Sequence, residues 1–206
     1  MTMEFPDSGL YAITDSNLCP GSRLLDAVEL AIDGGAKVIQ YRHKGADIDI
    51  ALVRKLRVLC TARGIPLIIN DDIALALEIN ADGVHLGKND QSIERARTHL
   101  GHQALIGVSC YNSAELARKA QIGGATYVAF GRFFASKTKP HAKAADIEIL
   151  DRPDLTIPIV AIGGITPVNG ATLLNHGANL LAVIDAVFGH KNPKTAAAAF
   201  QHLFDA

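Results

Sequence analysis

Short apolar runs alternate with segments of helical period along the whole sequence, and that alternation leaves few folds open. Gly9–Asp15, Lys37–Arg42, Leu67–Asn70, Gly83–Leu86, Leu105–Ser109, Tyr127–Gly131, Pro158–Ile162 and Leu180–Ile184 read as strands. Between and after them, Arg23–Ile32, Asp47–Arg63, Asp71–Asn80, Ser92–Leu100, Ser113–Ile122, a weak segment around Asp146–Leu150, Pro167–His176 and Pro193–Phe204 read as helices. Leu24, Ala27, Val28 and Ala31 share one face of the first helix, and Ile50, Val53, Leu56 and Leu59 recur at helical spacing in the second. Gly34-Gly35 ends the first, while Thr166 as N-cap and Pro167 at the first helical position begin the seventh.

Strand–helix units repeated eight times predict an α/β protein closed as a (β/α)8 TIM barrel. A doubly wound open sheet is the competitor, but no Gly-x-Gly-x-x-Gly turn follows the first strand. At 206 residues the chain can bury one core, so residues 1–206 are expected to form a single domain.

The formal charge of -1 gives no footprint for nucleic acid, so any anion site must be local. No apolar run reaches membrane-spanning length, and Met1–Asp7 lacks the basic start and apolar centre of a signal peptide, so a cytoplasmic location is expected. Cys19, Cys60 and Cys110 are odd in number and widely spaced, which fits neither a disulfide framework nor a metal motif.

In a parallel barrel the carboxyl ends of the strands open on one face, and residues distant in sequence converge there. Those ends carry Gln40, Arg42 and Lys44; Asn70 and Asp71; His85, Asn89 and Asp90; Ser109; Gly163-Gly164; and Ile184-Asp185. The sixth strand runs into the basic loop Gly131–Pro140, where Ser136 and Thr138 offer donors and Lys139 offers charge, a composition suited to an anion. Gln40, Arg42 and Lys44 are two apart and reach one ligand if the chain stays extended to Lys44. Each residue alone has a bland reading: Asp71 and Asp90 as helix caps, Arg42 as partner of a nearby carboxylate.

Taken together they have a chemical use. Two carboxylates beside a polyanion suit Mg²⁺, which takes oxygen ligands and shares its shell with water and phosphate. Arg42, Lys44 and Lys139 would hold the remaining phosphate oxygens, and the loops after strands seven and eight would form a metal-free phosphate cup. Two such handles suit the joining of two molecules with diphosphate as leaving group.

The ordered motifs Leu10–Asp15, Gln40–Lys44, Ile69–Asp72, Gly83–Gly87, Gly107–Ser109, Ser136–Lys139 and Ala161–Ile165 resemble those of the thiamine-phosphate synthase family. The resemblance implies a Mg²⁺-dependent enzyme joining a pyrimidine diphosphate to a thiazole phosphate, carboxylated or not. By that resemblance Asp71 and Asp90 bind the metal, while Arg42, Lys44, Asn70 and Lys139 hold diphosphate. Gln40 meets the pyrimidine, and Ser109, with Lys139 and Arg42, stands at the reacting groups. Ser136, Thr138, Gly164 and the Ile184-Asp185 backbone hold the thiazole phosphate. Partners are then small-molecule substrates, with no nucleic acid, no membrane and room for a homo-oligomer.

Two positions depart from the family pattern. Asp185 stands where a small hydroxyl residue is common, and is expected to turn away and cap its own helix. Tyr111 stands where the related thiazole tautomerases often carry a proton-transferring His, which counts against that alternative. A phosphosugar isomerase would have no use for Asp71 and Asp90 together with the cations of strand two. A non-catalytic thiazole-phosphate-binding regulator would be expected to lose the metal or diphosphate residues first. His43, His85, His102, His141, His176 and His190 have no part in this chemistry, and His85 reads as strand packing near the site.

Overall fold

The computed structural model describes residues 3–45, 47–87, 92–135 and 143–205. Its strands β1 (Gly9–Ile13), β2 (Ala36–Tyr41), β3 (Leu67–Asn70), β4 (Gly83–Leu86), β5 (Leu105–Tyr111), β6 (Tyr127–Gly131), β7 (Ile159–Ile162) and β8 (Leu180–Val183) close into one parallel barrel. Each strand pairs with the next in sequence, and β1 also pairs with β8. The helices are α1 (Arg23–Asp33), α2 (Ile50–Ala62), α3 (Ile73–Glu78), α4 (Ile93–Leu100), α5 (Ala114–Ile122), α6 (Gly170–Asn175), α7 (Asp185–Phe188) and α8 (Pro193–Ala198). Among the described residues, no helix is long and apolar enough to cross a membrane.

Local chemistry sets several helix starts. Asp49, Asp72, Ser92, Ser113 and Asn192 each accept a hydrogen bond from the backbone N–H three residues on, which satisfies a donor that the helix itself cannot pair. Asp72 rather than Asp71 therefore caps α3, and Asp71 is released from that duty.

Three helical expectations need correction. The segment around Asp146–Leu150 is a 3-10 turn, Ile147–Leu150, too short to present an amphipathic face. Thr166 and Pro167 precede α6 in a turn: Thr166 N–H donates to Asn169 Oδ1 at 2.8 Å, and Asn169 occupies the N-cap. The helix expected to begin at Asp185 is the four-residue α7, and the terminal helix expected over Pro193–Phe204 is broken into α8 and a 3-10 turn, Gln201–Leu203.

Apolar residues fill two separate layers. Leu10, Ala12 and Ile39 face outward and pack with Leu24, Val28, Val53 and Leu56 of the helices. Tyr11, Ile13, Val38, Ile68, Leu105, Tyr127, Val160 and Leu180 fill the barrel itself, and Phe5 stacks on Tyr127 with ring centroids 4.1 Å apart. The period-two alternation of strands thus sends one set of side chains to the helices and the other inside. Cys19, Cys60 and Cys110 are free and buried, and burial pushes the thiols of Cys60 and Cys110 up to about 12, as suits packing residues.

Tyr127 needs an absent side chain beside it. A Cβ added at Gly107 would lie 2.0 Å from Tyr127 Cζ, inside its van der Waals shell. Gly107→Ala is expected to destabilise the fold by about 1–3 kcal/mol, the usual cost of overpacking a filled core, and chemical denaturation measures it. Wild-type stability in that variant would show that the ring has room to move aside.

Candidate active site

A cavity of about 530 Å³ opens at the carboxyl ends of the strands. Of the residues expected at the site, Gln40, Arg42, Asn70, Ser109, Gly164, Ile184 and Asp185 line it. Ser136, Thr138, Lys139 and Asp90 lie outside the described residues. Lys44 is exposed and does not line the cavity; β2 ends at Tyr41, and past that point strand pairing no longer imposes the alternation that would carry Lys44 there. Asp71 is likewise exposed, one residue beyond the cavity-lining Asn70.

Arg42 is held from below by the end of β1. Its backbone N–H donates to Thr14 Oγ1 at 3.1 Å, and its Nη1 donates to Asp15 Oδ2 at 2.9 Å. Only 7 % of the Arg42 side chain is exposed, yet the buried Nη2 has no hydrogen-bond partner among the described residues. An orphaned guanidinium nitrogen inside a protein costs roughly 1–3 kcal/mol or more, and an anion entering the cavity would recover it. Asp15 was absent from the expected site. The signal was its place at the end of the first strand, in register with the strand that carries Arg42.

Asp71 has φ 65°, a conformation uncommon outside glycine, though Asp tolerates it. Its N–H donates to His85 O at 2.8 Å, and its Oδ2 accepts from Asn70 Nδ2 at 2.5 Å, so backbone and side chain are both fixed. Among the described residues there is no group of three or more His, Cys, Asp or Glu that could hold a metal by itself. An exposed carboxylate beside an Arg-lined cavity fits a hard cation that completes its shell with water and phosphate oxygen, and does not fit zinc.

The cavity floor is polar and internally bonded. Gln40 Nε2 donates to the Tyr11 hydroxyl at 2.8 Å, and the Tyr11 and Tyr127 hydroxyls are 2.7 Å apart. Tyr127 reaches His85 Nδ1 at 3.1 Å, and His85 Nε2 reaches Ser109 Oγ at 2.9 Å. Burial pushes both phenols well above their ordinary range, so each keeps its proton. His85 is more than the packing residue expected of it. Val84 and Leu86 face the helices, and by strand alternation the residue between them must face the cavity.

The opposite requirement, close backbone approach, governs the loop after β7. Gly163 and Gly164 have φ 108° and 64°, and a Cβ at either would lie 2.2 Å from the first part of the β6 loop, at Arg132 Cβ or Ala135 O. Phe133 N–H donates to Ile162 O at 3.2 Å and Phe134 N–H to Gly163 O at 3.0 Å, so the two loops are docked. Asp185 is the first residue of α7 rather than its cap, since Ile184 holds the N-cap position and no side chain caps it. A Cβ at Gly189 would lie 2.6 Å from Asp185 Oδ1, which places that carboxylate against the far end of the same short helix.

The family described as thiamine monophosphate synthase matches residues 10–187. Thiamine-phosphate synthase of Methylococcus capsulatus is 49 % identical, over 100 % of this chain and 93 % of that protein. The enzyme of the same name from Thiobacillus denitrificans is 47 % identical, over 98 % of this chain and 97 % of that protein. Among solved structures, thiamine phosphate pyrophosphorylase from Pyrococcus furiosus superposes with a TM-score of 0.86 at 32 % identity, covering 97 % of this chain and 96 % of its own. A structure titled native KDPGal, with TM-score 0.74 at 18 % identity over 98 % of both chains, shares the fold alone.

The orphaned Arg42 nitrogen gives a direct expectation. Inorganic diphosphate should bind the wild-type protein, and Arg42→Met should weaken that binding at least about tenfold, the worth of one charge-assisted hydrogen bond, by isothermal titration calorimetry. Equal affinity for the two proteins would remove Arg42 from the anion site.

Proposed function

The chain belongs to the thiamine monophosphate synthase family, and from that premise we propose that it joins 4-amino-2-methyl-5-(diphosphooxymethyl)pyrimidine to a 4-methyl-5-(2-phosphooxyethyl)thiazole, carboxylated or not. The products are thiamine phosphate and diphosphate, and the reaction is a transfer with diphosphate leaving. The observation that carries this reading is the buried, half-satisfied Arg42 guanidinium in a cavity that also reaches the Gly163-Gly164 loop. β2 and β7 are separated by β1 and β8 around the barrel, a spacing that supports two phosphorylated substrates rather than one.

Arg42 would bind oxygens of the diphosphate, with Asn70 beside it and Lys44 and Lys139 as further cations. Asp71 and Asp90 would hold Mg²⁺, which when bound neutralises the leaving group. Gln40 would meet the pyrimidine, and the Gly164 and Ile184-Asp185 backbone, with Ser136 and Thr138, would meet the thiazole phosphate. An aminopyrimidine stabilises a cation on its exocyclic methylene once diphosphate departs. The protein's tasks are then to bind the departing anion, exclude water and align the thiazole nitrogen with that carbon. No side chain needs to become a nucleophile. The apolar walls supplied by Ile13, Ala129, Val160 and Ile162 suit a site from which water must be kept.

Incubating the protein with both substrates and Mg²⁺, and following diphosphate and thiamine phosphate, tests the reading. Asp71→Ala is expected to lower kcat by about 10²-fold or more, the scale set by loss of one electrostatic group at developing charge, while thiazole phosphate binding stays within about threefold. Unchanged turnover in that variant would take Asp71 out of the metal site.

A further inference from the structure

The hydrogen-bonded row across the barrel has a direction, and that direction fixes a proton at the mouth of the cavity. Gln40 Nε2 can only donate, so the Tyr11 oxygen accepts there, and the nearly buried Tyr11 hydroxyl keeps an acceptor for its own proton within the row only by donating to Tyr127. The Tyr127 proton must then go to His85 Nδ1, which leaves Nδ1 without a hydrogen and puts the ring proton on Nε2, facing Ser109 Oγ. Ser109 Oγ accepts that bond, and its own hydrogen is left to point into the cavity that Ser109 lines. A second proton on the imidazole would strand the Tyr127 hydrogen at a position where Tyr127 is 0 % exposed.

The geometry points to His85 as a positioning residue: held in its Nε2–H tautomer by Tyr11 and Tyr127, it turns the Ser109 hydroxyl into an obligate donor to an acceptor atom of the bound substrate. The part of this inference that concerns turnover rests on the reaction proposed above, while the tautomer does not. Tyr11 and Tyr127, on β1 and β6, belong to the cavity floor, and through this row they act on the Ser109 hydroxyl. Gly107 belongs to the same device, since it makes the room through which the Tyr127 ring passes.

Two measurements test the inference, and the first needs no substrate. In ¹⁵N-histidine spectra of the wild-type protein, with the His85 signals identified by their loss in His85→Gln, Nε2 is expected to be protonated and Nδ1 bare, and Tyr127→Phe is expected to disturb that preference. A proton on Nδ1 overturns the inference, whatever the protein catalyses. In the second, His85→Phe is expected to lower kcat/KM at least about tenfold, one hydrogen bond's worth. Ser109→Ala should do the same, and the double variant should be no slower than Ser109→Ala alone, because both changes delete one interaction. His85→Gln, which keeps a donor near the Nε2 position, should regain part of the loss. Additive losses, or full activity in His85→Phe, overturn the positioning role. Should His85→Phe fail to fold, Tyr127→Phe paired with Ser109→Ala makes the same comparison. A wild-type protein that forms no thiamine phosphate would refute the proposed reaction, and the spectra would still decide the tautomer.

Discussion

Polar groups can be buried in the middle of a parallel barrel only if they bond to one another. Here an amide, two phenols, an imidazole and a hydroxyl do so in one row from Gln40 to Ser109, across strands β2, β1, β6, β4 and β5. Each unpaired member would cost roughly 1–3 kcal/mol, so the row is satisfied as a whole or not tolerated. It divides the interior: apolar packing with Leu105 and Leu180 lies on one side, and the cavity opens on the other.

The guanidinium of Arg42 stands out against that background because it is only partly satisfied where it meets the cavity, unlike that of Arg152, whose unpaired Nε lies outside the cavity lining. Asp15 takes one of the Arg42 nitrogens and leaves Nη2 without a partner among the described residues, although nearly all of the side chain is buried. A fold that pairs its buried phenols, amide and imidazole but leaves a cation half-paired at the cavity wall is prepared for an anion. The docked β6 and β7 loops add a second, backbone-built wall, where two glycines permit an approach that any side chain would block. Two such walls in one cavity suit the separate phosphates of the two proposed substrates.

Much of this was legible in the sequence, for identifiable reasons. The βα alternation named the barrel, because each buried parallel strand needs a short apolar run and each crossover needs a helix. Strand ends then named Gln40, Arg42, Asn70 and Ser109, which the barrel brings to one cavity. Lys44 lies outside the cavity's lining because it falls past the end of β2, where strand pairing no longer imposes the alternation read from the sequence. His85 was undervalued although its flanking Val84 and Leu86 already required it to point inward. The Asp71-Asp72 pair shows a different difficulty: either carboxylate could cap α3, and only the left-handed turn at Asp71 assigns the task to Asp72. The tyrosine row was out of reach, since nothing local in the sequence brings Tyr11 of β1 to Tyr127 of β6, 116 residues apart.

The most direct test is a crystal structure of the protein soaked with thiamine phosphate and inorganic diphosphate together. Diphosphate density is expected against Arg42 Nη2, and the thiamine phosphate is expected to lie with its rings between Gln40 and Ser109 and its phosphate at Gly164. Density for both ligands away from the strands' carboxyl ends, with Arg42 Nη2 still unpaired, would contradict the proposal that this cavity is where two phosphorylated molecules are joined.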